Sequence, residues 1–171
     1  MKVRVFYAAL MKRILFFIVL FPALLTALVS CETKAVSTPE LYVAQLMFRT
    51  SVDGVQDTIR ITDTLSIGDK LRLNIFIDGR LNTLNSFVAS CDTSAMQLAL
   101  EVDSIGLRYL ATGSDMTNGK LVFKPGLLSA CNMWMLFSPR KSGTQKIEMT
   151  IDSDAGTEFS PRTWTYTTTV R

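Results

Sequence analysis

The feature that most constrains this chain is a two-residue alternation of apolar and polar side chains that recurs from Leu41 onward. In Lys70–Asp78, Leu71, Leu73, Ile75 and Ile77 share one face, with Arg72, Asn74 and Asp78 opposite. Ala95–Asp103 sets Met96, Leu98, Leu100 and Val102 against Gln97, Glu101 and Asp103. Gln145–Ser153 sets Ile147, Met149 and Ile151 against Lys146, Glu148, Thr150 and Asp152. Successive side chains of a strand point to opposite faces, so this period predicts strands with one wet side. No segment sustains a helical period. Weaker strands are expected at Leu41–Thr50, Asp57–Asp63, Leu84–Cys91, Lys120–Lys124 and Asn132–Ser138, and Arg162–Val170 closes the chain. Asn132–Ser138 is apolar on both faces, which suggests a central strand.

Turn residues separate these runs. Asp53-Gly54 and Asn118-Gly119 predict hairpins, because both residues of each pair tolerate the positive φ of a type I′ turn. Asp78-Gly79 and Pro125-Gly126 each end a strand. Short strands at this spacing indicate an antiparallel sandwich or barrel, and a two-sheet sandwich over residues 41–171 is the better solution. The predicted class is therefore all-β.

Two segments carry a resemblance. Ser138-Pro139-Arg140-Lys141-Ser142-Gly143-Thr144, followed by alternating Ile147, Met149 and Ile151, resembles the corner before the penultimate strand of bacterial immunoglobulin-like domains. Asp63-Thr64-Leu65-Ser66-Ile67-Gly68-Asp69 before a strong strand is similar to such modules too. The tyrosine that often follows that corner glycine is replaced by Thr144-Gln145. The resemblance implies an immunoglobulin-like sandwich and leaves function open, since one fold hosts many activities.

The first thirty residues differ from the rest. They hold four basic residues (Lys2, Arg4, Lys12 and Arg13), no acids and 23 apolar side chains. Without them the chain has 14 Lys and Arg against 15 Asp and Glu, so the net charge moves from +3 to −1. The basic balance thus belongs to the leader, and it supports no nucleic-acid partner. Ile14–Val29 is apolar apart from Pro22 and Thr26. Sixteen helical residues span about 24 Å, short of a bilayer core of about 30 Å, so a cleaved secretory signal is preferred to a permanent span. Met11-Lys12-Arg13 alone makes a sufficient basic start, which points to translation from Met11.

The leader ends in Leu28-Val29-Ser30-Cys31, which resembles the lipobox of bacterial lipoproteins. The resemblance implies cleavage before Cys31, a thioether-linked diacylglycerol on its sulfur and a membrane anchor made of lipid alone. Residues 1–30 are then the signal peptide. Residues 31–40, polar with Ser37, Thr38 and Pro39, form a tether. If Cys31 carries lipid, Cys91 and Cys131 remain as an even pair in an oxidising compartment. They form either a disulfide across the core or two free buried thiols.

There is no histidine. That removes the commonest general base, the commonest zinc ligand and every Ser–His or Cys–His nucleophile. Ser138-x-x-Lys141 matches a string of penicillin-recognising enzymes, but it lies in a Pro-containing corner without partner motifs and reads as an exposed turn. Asp152-Ser153-Asp154 offers two carboxylates, too few for calcium without further oxygens. Glu101 and Asp103 share the outer face of a strand, where solvation is the simpler account than an acid/base pair. Trp134 sits among Met133, Met135, Leu136 and Phe137 and reads as core. Trp164 and Tyr166 share one face of the last strand. They serve either as core filling or, if exposed, as a platform for stacking sugar rings.

The expectation is a non-catalytic lipoprotein of the bacterial cell envelope, held by lipid, with the outer membrane as its expected address. It binds or scaffolds an unassigned ligand, has no cofactor and no metal, and takes polysaccharide or another envelope protein as partner. The alternatives are a glycan-binding accessory protein using Trp164 and Tyr166, and a subunit of a surface appendage or envelope complex.

Overall fold

The computed structural model describes residues 37–171. The expected signal peptide, Cys31 and the first part of the tether lie outside the described residues. Nine strands follow: β1 (Glu40–Thr50), β2 (Gln56–Arg60), β3 (Lys70–Asp78), β4 (Leu84–Cys91), β5 (Met96–Val102), β6 (Lys120–Val122), β7 (Ala130–Pro139), β8 (Gly143–Ser153) and β9 (Arg162–Val170). One four-residue helix, α1 (Ser104–Leu107), follows β5, and a 3₁₀ turn, Met116–Asn118, precedes β6. The strands form a five-stranded sheet, β2-β1-β3-β7-β5, and a four-stranded sheet, β6-β4-β8-β9, with every strand pair antiparallel. This is the antiparallel two-sheet sandwich that the alternation predicts.

The inner faces are the apolar stripes read from the sequence. Leu71, Leu73, Ile75 and Ile77 of β3 meet Phe87 and Ala89 of β4, Leu98 and Leu100 of β5, Met133 and Met135 of β7, and Ile147, Met149 and Ile151 of β8 in one buried cluster. Phe87 is wholly buried, and removing a side chain of this size from water contributes roughly 1.5–3 kcal/mol. β7 lies between β3 and β5, so it is an interior strand next to the edge, while the centre of the sheet is β3.

Leu65 is also wholly buried, and its backbone bridges in parallel to Val170 at the end of β9. The Asp63–Asp69 segment is pinned there by the buried Asp69 carboxylate, which accepts from the Ser66 amide at 2.9 Å.

Two turns differ from the prediction. β1 and β2 form a hairpin, but its loop is Ser51–Val55, with Gly54 at φ +81° and its amide donating to the Ser51 carbonyl at 2.9 Å. Among the described residues the only positive-φ non-glycine is Arg80, so neither Asp53 nor Asn118 adopts the I′ conformation. Asn118 instead ends the 3₁₀ turn, and Gly119, at φ +72°, caps it. A Cβ on Gly119 would lie 2.2 Å from the Ala89 carbonyl oxygen and 2.6 Å from Leu98 Cδ2. Tertiary packing, rather than hairpin geometry, therefore requires glycine here.

The two described cysteines are free thiols. The bridge weighed from the sequence fails on position along the strands, not on facing. Cys91 donates to the Met96 carbonyl at 3.5 Å, and Met96 pairs with Pro139 at one end of β7. Cys131 pairs with Ile77 near the other end of β7. Eight residues at about 3.3 Å each separate the two levels by roughly 26 Å, far beyond disulfide reach.

Candidate functional site: the outer face of the five-stranded sheet

Register builds this surface. Because β1, β3, β7 and β5 pair in sequence across the sheet, their outward residues form rows. Phe48, Arg72, Leu136 and Ala99 make one row. Asn74, Trp134 and Glu101 make the next, and Tyr42, Phe76 and Asn132 a third. β1 shifts register between Val43 and Met47, which leaves Leu46 exposed beside these rows. A face that alternation alone would make polar thus presents Tyr42, Leu46, Phe48 and Phe76 to solvent, with Phe48 at 55% exposure.

The aromatic side chains form two pairs, one of them beneath a cation. The Arg72 guanidinium carbon lies 4.5 Å from the centroid of the Trp134 ring. Its Nη2 is 3.0 Å from Glu101 Oε2, so the ion pair holds the guanidinium over the indole. Phe48 packs beside Trp134, with ring centroids 5.8 Å apart and planes tilted by 50°. Tyr42 and Phe76 form a second pair at 6.0 Å. Aromatic pairs at such distances are attractive beyond the area they bury, and a guanidinium over an indole adds cation–π attraction.

Charged groups frame the face. The Tyr42 hydroxyl donates to the Glu40 carboxylate, which also pairs with Arg80. The Arg80 bond, and then the Tyr42 bond, pull the Glu40 carboxyl below its usual range, while the negative Glu40 raises the Tyr42 hydroxyl. At the opposite corner Arg49 donates twice to Asp57 and holds that carboxyl below its usual range. Between Phe48 and Ser138 the surface sinks into two adjoining shallow depressions of about 410 and 330 Å³, which share Lys70, Leu71 and Leu136.

The residues singled out from sequence fall elsewhere. Trp134 is not in the core: it stands on the outer face of β7, half-buried under Arg72 and Phe48. Trp164 and Tyr166 are turned inward and pack half-buried against the core, opposite Met149 and Ile147. Tyr166 meets Phe137 edge-on at 6.3 Å, and its hydroxyl donates to the Ile61 carbonyl at 2.9 Å. Core filling is therefore the role of this pair, which presents no sugar platform on the last strand.

The carboxylate pairs serve separate structural tasks. Glu101 holds Arg72, whereas Asp103 caps α1 by accepting from the Gly106 amide at 2.6 Å. Asp152 accepts from Ser160 at 3.0 Å, while Asp154 accepts from the Thr83 amide at 2.7 Å. Lys141 is exposed and donates to Ser94, not to Ser138. Burial pushes the Cys131 thiol up to about 11 and raises that of Cys91, so both stay protonated near neutral pH and are poor nucleophiles. Among the described residues no three His, Cys, Asp or Glu side chains gather as a metal site.

A signal for the aromatic face was present in the sequence. Phe76 interrupts the polar side of Lys70–Asp78, and Phe48 adjoins Met47, so β1 and β3 each place large apolar groups on both faces.

No protein-family model matches the chain, and no curated protein matches it. Among solved structures, a chain described as "BspA_C_mut" is similar with a TM-score of 0.48 and 16% identity, covering 77% of this chain and 47% of its own. A family 123 glycoside hydrolase from Clostridium perfringens, from a study of glycolipid glycan hydrolysis, is similar with a TM-score of 0.41 and 13% identity. That match covers 79% of this chain and 27% of the hydrolase. The chain thus spans less than half the length of either neighbour, and likeness of this degree carries no statement about activity.

Proposed function

We propose that this chain is a lipid-anchored, non-catalytic binding module of the bacterial cell envelope, and that it contacts its ligand through the outer face of the five-stranded sheet. The observation that carries this reading is the exposed set Tyr42, Phe48 and Phe76 around the Arg72–Trp134 stack. Monomeric domains seldom expose contiguous apolar patches without using them, and a stacked arginine adds directional hydrogen bonding at the patch centre. The anchor is supported by the lipobox resemblance at Leu28–Cys31.

A glycan is the favoured ligand class. Phe48 offers an exposed ring beside the Arg72-capped indole of Trp134, and Arg72, Asn74, Gln97 and Glu101 set hydrogen-bonding side chains on the same face. Apolar ring faces bordered by such groups match the alternating apolar and hydroxyl surfaces of a sugar. The test is retention of the mature protein on a panel of immobilised polysaccharides, compared with Phe48→Ala and Arg72→Ala. Retention that falls in both variants at unchanged melting temperature supports the reading. Retention equal to wild type on every polysaccharide would overturn the glycan assignment.

A further inference from the structure

The end of the sandwich where the chain enters carries its own exposed apolar set. Leu81 is 80% exposed, Ile105 63%, Leu127 59% and Leu107 48%. These residues come from two loops and the short helix α1, well apart in sequence, and hydrogen bonds bring the three segments to one end. Gly79 donates to the Ser129 carbonyl at 2.7 Å and Leu84 to that of Leu128 at 2.7 Å, which ties the Leu81 loop to the Leu127 loop. The Lys124 amide donates to the Tyr109 carbonyl at 2.8 Å, and its Nζ to that of Arg108 at 2.7 Å, which ties the Leu127 loop to the segment after α1. Asn82 donates to the Ser37 carbonyl at 2.9 Å, so the entering chain is fastened to the same end.

The covalent path limits how far this end can stand from Cys31. Six peptide steps separate Cys31 from Ser37, and at about 3.5 Å each they reach no more than about 21 Å. We propose that the Leu81, Ile105 and Leu127 segments seat this end of the domain on the lipid surface that holds the acylated Cys31. The proposal rests on the lipid anchor of the functional reading. Leucine and isoleucine at loop tips bury a few ångströms into the headgroup boundary, while Arg108 and Lys124, both exposed beside them, stay at the level of lipid phosphates. An anchor of lipid alone would leave the domain free to tumble on its tether, whereas seated loops fix its orientation. The aromatic face runs along the strands rather than across this end, so it remains open.

The experiment uses the full-length, processed protein reconstituted into vesicles of phosphatidylethanolamine and phosphatidylglycerol, with or without brominated acyl chains. Leu81→Trp and Leu127→Trp place a reporter in two of the loops. Val52→Trp places one at the opposite end, at a position 69% exposed. Emission of the protein without added tryptophan is subtracted. In bromolipid vesicles the added emission of Leu81→Trp and Leu127→Trp is expected to shift to the blue and be quenched, while that of Val52→Trp is unchanged. If the protein sediments with the vesicles but neither loop reporter is quenched, the seating is wrong and the anchor stands. If the protein is neither lipid-labelled nor sedimented, the anchor reading fails and the seating falls with it.

Discussion

The two outer faces of this sandwich have the same strand geometry and opposite chemistry. On the four-stranded sheet, β9 turns Thr163, Thr165, Thr167 and Thr169 outward, beside Lys146, Glu148 and Thr150 of β8. Thr150 and Thr163 join their hydroxyls at 2.9 Å across the pair. On the five-stranded sheet the same kind of position holds Tyr42, Phe48, Phe76 and Trp134. Threonine shows how little an outer face needs: a β-branched side chain favours the strand, and its hydroxyl stays solvated. Aromatic groups on the opposite side are thus not required to hold a sheet, and their exposure costs solubility. The contrast separates a face that threonine is enough to build from one that exposes aromatic side chains.

The largest effect is expected where the faces do not matter. Phe87→Ala empties a site shared by both sheets and should lower stability by about 3–5 kcal/mol in a denaturant titration. A much smaller loss would mean that the two sheets are not equally dependent on one core.

Next comes the aromatic face itself. Arg72→Ala removes both the cation over Trp134 and the partner of Glu101, groups that are each about half exposed. Such contacts are worth about 0.5–1 kcal/mol at exposed sites. A shift of tryptophan emission should accompany a stability change of that order. A loss of several kcal/mol would instead make Trp134 a structural residue.

The cysteines sharpen the comparison between sheets. The Cys131 thiol, in the five-stranded sheet, is raised to about 11 from 9.0, while Cys91, in the four-stranded sheet, is raised and more exposed. Iodoacetamide at mildly alkaline pH should therefore alkylate Cys91 well before Cys131, read by mass spectrometry. A group with a raised folded pKa favours folding while it stays protonated. The Cys131 contribution is thus lost as pH rises from 9 toward 11. At the acidic side, Asp57 and Glu40 have depressed folded values. Their contribution is present above the ordinary carboxylate pKa near 4 and fades as pH falls through it and below. Asp57→Asn should flatten that acid limb slightly.

The smallest effect belongs to the threonine face. Thr165→Ala should change stability by no more than about 0.5 kcal/mol and leave polysaccharide retention untouched. A loss of retention there would move the binding surface to the wrong sheet.

Much of the fold was legible because burial on one side leaves a period of two. Lys70–Asp78, Leu84–Cys91 and Arg162–Val170 match β3, β4 and β9 to the residue. The inward stripe of β8 is the one read from Ile147, Met149 and Ile151. Legibility stops where both faces are apolar. In β7 the period separates Met133 and Met135 from Trp134 and Leu136, but nothing local says which set points inward. The apolar neighbours of Trp134 point to the core, but the register with Arg72 and Glu101 turns it outward. β1 was weak in alternation because its bulge between Val43 and Met47 resets the phase. The turns at Gly54 and Gly119 carried hairpin dipeptides, yet loop length and contact with Ala89 and Leu98 decided their form. The cysteines faced inward as read, and only the sheet assembly reveals that they lie at different levels.

β1 has a mechanical consequence. It carries Tyr42 and Phe48, and it is also the strand that leads back toward Cys31. A pull on a ligand held at this face, resisted from the N-terminal side, would travel along one strand without first crossing the core. β1 is flanked on both sides, by five register pairs with β2 and eight with β3. The share of such a pull taken by Arg72 and Trp134, on β3 and β7, reaches β1 through the β1–β3 ladder and stretches it in shear, instead of opening it one bond at a time from an end. Tension on such a module would be borne collectively, with the four-stranded sheet left unloaded.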